Sequence, residues 1–130
     1  GQGYLVLRAA KLAADGLPPR NICMRLQALA KKVDLSFVLN QLDYMAKSGR
    51  CSGVLAFGAN ILGIKPSLAV DIDNSMVFIS SCQPKPGCLE AVKAGLAQYG
   101  KFEQIIETDI GTTIGGYSGP GTIGIVFATT

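Results

Sequence analysis

Met76-Val77-Phe78-Ile79-Ser80, the break Pro84-Lys85-Pro86-Gly87, the stretch Leu89 to Tyr99 and the stretch Phe102 to Ile110 decide the fold, because the apolar period changes twice within them. The first is a short β-branched and aromatic run of strand composition. In the third, Leu89, Val92, Leu96 and Tyr99 recur at three- and four-residue spacing, the apolar face of a helix. Phe102 to Ile110 alternates enough to be a strand, and Thr122 to Ala128 is an apolar run suited to a final one. On the other side of the turn Asp73-Asn74-Ser75, Ile64 to Asp71 reads as the partner arm of a β-hairpin, with Pro66 near its start.

Upstream the period is helical. Leu5, Val6, Ala9, Ala10, Leu12 and Ala13 place a helix over Tyr4 to Asp15, closed by Gly16. Pro18-Pro19 forbids its continuation but suits the first turn of a second helix, which carries Ile22, Cys23, Leu26, Leu29 and Ala30 inward and ends near Lys31-Lys32. Leu35 to Leu39 has strand composition. Asn40 can cap a third helix with Leu42, Tyr44, Met45 and Ala46, which Gly49 stops, and Val54 to Leu62 reads as a buried helix. Helices first, then strands with a helix between them, predict a two-layer α/β domain around one mixed sheet covered by helices.

A chain of 130 residues, 48% hydrophobic and 16% charged, suffices for one core and excludes a disordered tail or a coiled coil. Nowhere do 18 apolar residues run together, so no transmembrane helix is expected, and no charged segment precedes an apolar run at the start in the manner of a secretory signal. The net charge of +3 is scattered, with only Lys31 and Lys32 adjacent, which argues against nucleic-acid binding. The chain has no histidine, which removes Ser-His, Cys-His and His-zinc chemistry. Cys23, Cys51, Cys82 and Cys88 form no C-x-x-C pair and read as reduced thiols of a cytoplasmic protein; a Cys82–Cys88 bridge across the Pro-rich turn is the less favoured alternative.

The densest unusual stretch is Gly111-Thr112-Thr113-Ile114-Gly115-Gly116-Tyr117-Ser118-Gly119-Pro120-Gly121. Its glycines allow successive N–H groups to converge on an anion, with hydroxyl donors beside them. No G-K-[ST] or G-x-G-x-x-G accompanies it, so it is no nucleotide loop. The residues alone leave open a wide turn whose glycines only serve close packing. Lys47-Ser48-Gly49-Arg50-Cys51-Ser52-Gly53 offers a guanidinium for a carboxylate or phosphate, against the alternative of an exposed arginine beside a helix end. Asp71 with Asp73 and Glu107 with Asp109 share strand faces, read as solvent faces, and neither pair supports a catalytic or metal-binding role. No cofactor, metal or catalytic residue is implied.

Taken in order, Gly1-Gln2-Gly3-Tyr4-Leu5-Val6-Leu7-Arg8-Ala9-Ala10, Leu42-Asp43-Tyr44 with Gly49-Arg50, Ile61-Leu62-Gly63-Ile64-Lys65-Pro66 and Ile114-Gly115-Gly116-Tyr117-Ser118-Gly119-Pro120-Gly121 resemble the C-terminal half of DegV proteins. The resemblance implies their second domain, with a mixed sheet of about six strands, and a fragment whose N-terminal domain is absent. It implies a long-chain fatty acid bound between the two domains and presented to a separate fatty-acid kinase subunit. Where the family motif reads G-T-H-T-G-P-G, this chain has Tyr117 in place of the histidine; a phenol donates one hydrogen bond but cannot become a cation. The family's basic R-G segment after the hairpin is replaced by Gln83-Pro84-Lys85-Pro86-Gly87.

On this reading Tyr117, Ser118 and the backbone of Gly119 to Gly121 hold the carboxylate, Arg50 contributes to ligand or partner binding, and Leu55, Phe57, Ile61 and Leu62 line part of the tail tunnel. The isolated chain exposes an apolar patch and is expected to form a homodimer to cover it. The competing expectations are a structural or regulatory interaction domain that binds no lipid, and a phosphotransfer module like that of dihydroxyacetone kinases. The second lacks the histidine that anchors its substrate.

Overall fold

Proline lacks an amide hydrogen and fixes φ, so Pro18-Pro19 can end one helix and open another. In the computed structural model, which describes residues 1–40, 43–49, 72–98 and 100–130, it does both. Helix α1 spans Gln2–Ala14 and α2 spans Pro19–Ala30. Two backbone bonds close α1, Gly16 N–H to Ala13 O (3.0 Å) and Leu17 N–H to Leu12 O (3.1 Å), the pattern that satisfies orphan carbonyls at a helix end. Then follow β1 (Val33–Val38), α3 (Asp43–Lys47), β2 (Val77–Cys82), α4 (Cys88–Leu96), β3 (Ile105–Asp109), α5 (Thr112–Ser118) and β4 (Thr122–Ala128).

The strand order is β1-β4-β2-β3. Strand β4 pairs antiparallel with β1 and β2, and β2 pairs parallel with β3 across the connection containing α4, so the sheet is mixed. Alternate residues go to opposite faces. Tyr4 of α1 and Leu29 of α2 pack with Met76, Phe78, Val126 and Ala128 on one face. Leu89, Val92 and Leu96 of α4, with Phe102, pack against Val77, Ile79 and Phe127 on the other. Tyr4, Val77, Ile79 and Phe127 are fully buried. Helices therefore stand on both faces of the sheet.

The α/β class and the mixed sheet agree with the sequence reading, and the second-half elements fall close to their expected positions. The strand count differs: the described residues form four strands where about six are expected. The Ile64–Asp71 arm of the expected hairpin and the expected helix from Val54 to Leu62 lie outside the described residues. Strand β2 takes β3 and β4 as neighbours, and Ile72 makes one isolated bridge to Thr129. Cys23, Cys82 and Cys88 are free thiols, so the alternative Cys82–Cys88 bridge does not form.

The larger correction concerns residues 111–121. A run with so many glycines has low helix propensity, yet seven of its residues form α5. Gly115 N–H reaches Gly111 O and Gly119 N–H reaches Gly115 O, each at 2.8 Å, and the Ser118 hydroxyl donates back to Ile114 O at 3.0 Å. Packing supplies what propensity lacks. A Cβ at Gly115 would stand 3.3 Å from Cys82 Sγ, and one at Gly119 would stand 2.5 Å from the Tyr44 ring. The glycines thus allow α5 to sit close on the end of β2 and to receive α3.

Candidate functional site

The sheet face that carries Phe78 and Val126 is only partly covered by α1 and α2. Beyond them it opens into a groove of about 660 Å³. Its floor is set by register. Phe37 of β1, Gly124 of β4, Ser80 of β2 and Thr108 of β3 lie in one row across the sheet; Leu35, Val126, Phe78 and Ile106 form the next. Met45 of α3, Ile110, and Ile114 and Tyr117 of α5 form one side, and Gly1 to Gly3 at the start of α1 close the other end. Leu35, Phe37 and Ile114 are 51%, 52% and 57% exposed, an apolar concentration that a lone soluble surface rarely leaves open.

The polar groups of the groove cluster at the α5 end. Ser80 Oγ and Thr108 Oγ1 share a hydrogen bond of 2.8 Å. The Thr122 hydroxyl, buried beneath α5, lies 2.9 Å from Ser118 O and 2.8 Å from Gly119 O, tying the helix end to the first residue of β4. Asp109 is at the rim. A second polar cluster, reached by Arg8 from the middle of α1, fixes the turn before β2. Ser75 N–H donates to Asp73 Oδ1 at 2.9 Å, Arg8 Nη1 to Ser75 Oγ at 3.4 Å, and Asp73 N–H to Ala128 O at 2.8 Å. Burial alone would raise the Asp73 carboxyl, but the Ser75 amide and hydroxyl with the Arg8 guanidinium outweigh it and hold the group below its usual range.

Of the residues singled out from sequence, Tyr117 and Ser118 line the groove together. Gly119 and Gly121 stand behind it. Their amides, expected to face an anion, are occupied: Gly119 N–H by Gly115 O and Gly121 N–H by Cys82 O at 2.7 Å, where the β2–β4 ladder runs out. The hydroxyl hydrogen of Ser118 is likewise directed to Ile114 O. Arg50, Leu55, Phe57, Ile61 and Leu62 lie outside the described residues. Sequence reasoning missed Leu35, Phe37, Gly124 and Val126 as groove residues. Their signal was period-two spacing within β1 and β4, but alternation gives no sign of which face stays open.

A sequence model described as "Uncharacterised protein, DegV family" matches residues 1–78. The chain belongs to the DegV family. A DegV domain-containing protein of Clostridium acetobutylicum is 28% identical over 155 aligned positions, covering 98% of this chain and 54% of that protein. This chain spans about half or less of the length of these curated relatives. An alignment of 155 positions exceeds the 130 residues of the chain, so at least 25 positions have no counterpart here. Among solved structures, a DegV family protein from Eubacterium eligens loaded with heptadecanoic acid superposes with a TM-score of 0.80 at 16% identity, covering 98% of this chain and 56% of that one. The Streptococcus pneumoniae Fatty Acid Kinase (Fak) B3 protein loaded with linoleic acid gives a TM-score of 0.78 at 14% identity, covering 98% and 55%. At these identities the superpositions establish the DegV fold. No helix among the described residues is long and apolar enough to cross a membrane.

Proposed function

We propose that this chain is a fatty-acid-binding domain, the C-terminal half of a two-domain DegV carrier, and that its groove holds part of a long acyl tail. The observation that carries the reading is the open, apolar depression of about 660 Å³ with its hydroxyls gathered at one end. That size falls within the range of small-molecule sites, about 300–1,000 Å³. A tail of about 15 methylenes gains on the order of 0.8 kcal/mol for each one buried, so the tail dominates affinity. The carboxylate needs donors, since burying it unpaired costs several kcal/mol. The phenol of Tyr117 is a donor we assign to it, with the Ser80 hydroxyl also lining the groove.

The fatty acids held by the Eubacterium eligens and Streptococcus pneumoniae proteins support this substrate class for a groove on the same fold. The rest of the tunnel belongs to a second domain and to Leu55, Phe57, Ile61 and Leu62. Arg50 serves the head group or a partner surface. The chemistry assigned to this chain is binding, and in the whole protein the carboxylate is presented to a separate fatty-acid kinase subunit. Native mass spectrometry of the delipidated chain mixed with palmitic acid tests the binding claim. One acid per chain is expected; adducts no more abundant than on an unrelated protein of the same size would refute it.

A further inference from the structure

Gly124 occupies the middle of β4, with Ile123 and Ile125 on either side packed toward α4. Glycine weakens a strand interior because it loses the most backbone entropy and contributes no packing, so its presence there marks a bulge, a bend or a close approach. The first two do not apply. The register runs unbroken through Gly124, opposite Phe37 on one side and Ser80 on the other, and its φ lies outside the left-handed region. Protein neighbours do not require it either. A Cβ added there would meet Leu35 Cδ1 and Phe37 Cβ at 3.6 Å, ordinary contact, whereas at Gly119 and Gly121 it would run into Tyr44 and Asn40. What the missing side chain leaves is space, and that space is the groove floor between Thr122 and Val126.

We propose that Gly124 is a specificity-determining residue of the acyl site: the tail crosses β4 where the floor has no side chain, and the size of residue 124 sets how much chain the groove admits. This rests on the fatty-acid reading and adds to it the path of the tail. The position lies two residues, about 7 Å along β4, from Thr122 and directly opposite Ser80 in register, so on this reading a tail that runs from the hydroxyls toward Leu35 and Val126 crosses it.

The experiment uses Gly124→Ala and Gly124→Val in the purified chain, titrated with palmitic acid and with 1-hexadecanol, and melted without ligand. Gly124→Ala is not expected to melt below the wild type, since its Cβ meets only ordinary contacts at 3.6 Å, and valine suits a strand. Palmitic acid affinity should fall about fourfold for alanine and about fiftyfold for valine, the effect of roughly one and three lost methylene burials. Hexadecanol should lose as much, because the floor touches the tail and not the head group. Unchanged affinity in Gly124→Val, or a loss confined to the acid, would overturn the proposal. So would a lower melting temperature in Gly124→Ala, which would show a packed floor. A wild type that binds neither ligand refutes the fatty-acid reading itself, and the melting comparison still reports on the floor.

Discussion

Replacing Gly119 by alanine tests how the groove is held in shape. Gly119 has φ +79° and ψ 173°, a region that only glycine occupies readily, and forcing another residue into it costs about 1–3 kcal/mol. The added Cβ would also stand 2.5 Å from Tyr44 Cδ2 and 2.8 Å from Cγ. The ring cannot yield without moving α3, and overpacking of this kind typically costs a further ~1–3 kcal/mol. Gly119→Ala should therefore destabilise the chain by about 2–6 kcal/mol, read as a lower urea midpoint with little change in slope. Truncating the ring separates the two contributions. In a double-mutant cycle Tyr44→Ala should remove the steric part and leave the backbone part, so the two substitutions together cost less than their sum. Full additivity, or an unchanged midpoint in Gly119→Ala, would show that α3 does not rest on this glycine and that Met45 is not held at the groove by it.

Tyr117→Phe should weaken palmitic acid binding by about 1.5–3 kcal/mol, the value of a hydrogen bond to a charged group, while methyl palmitate affinity stays within twofold; equal losses for both ligands would remove the phenol from the head-group site. Asp73 has a pKa below its unfolded value, so the stability it contributes is fully present above the unfolded pKa near 4 and is lost as pH falls through the folded one. The difference in denaturation midpoint between wild type and Asp73→Asn should accordingly narrow as pH drops from 6 to 3, and a constant difference would assign the effect to something other than ionisation.

Where one physical signal ruled, the sequence was legible. Pro19 at the first helical turn gave α2, and the run from Thr122 to Ala128 gave β4 to the residue. Two kinds of information were not local. The Gly-rich stretch before β4 reads as loop by propensity, but its glycines serve contacts with Cys82 and Tyr44 that exist only once β2 and α3 are in place. In the same way, the convergent amides imagined there assumed an open turn, whereas a helix and a ladder end had already taken them. The expected six strands came from family resemblance, and the Ile64 to Asp71 arm expected to supply one of them lies outside the described residues. Tyr117 and Ser118 stand out in the sequence as polar groups in a glycine run, and both line the groove. Leu35, Phe37 and Val126 do not stand out, because an apolar residue in a strand looks the same whether it meets a helix or a ligand.

Methyl-resolved NMR of the chain, labelled at Ile, Leu, Val and Met and titrated with palmitic acid, addresses the central claim most directly. Leu35, Met45, Ile110, Ile114 and Val126 should shift together and saturate at one equivalent, while Val77, Ile79, Val92, Ile123 and Ile125 on the opposite face stay in place. Shifts centred on that opposite face, or none at saturating acid, would contradict it.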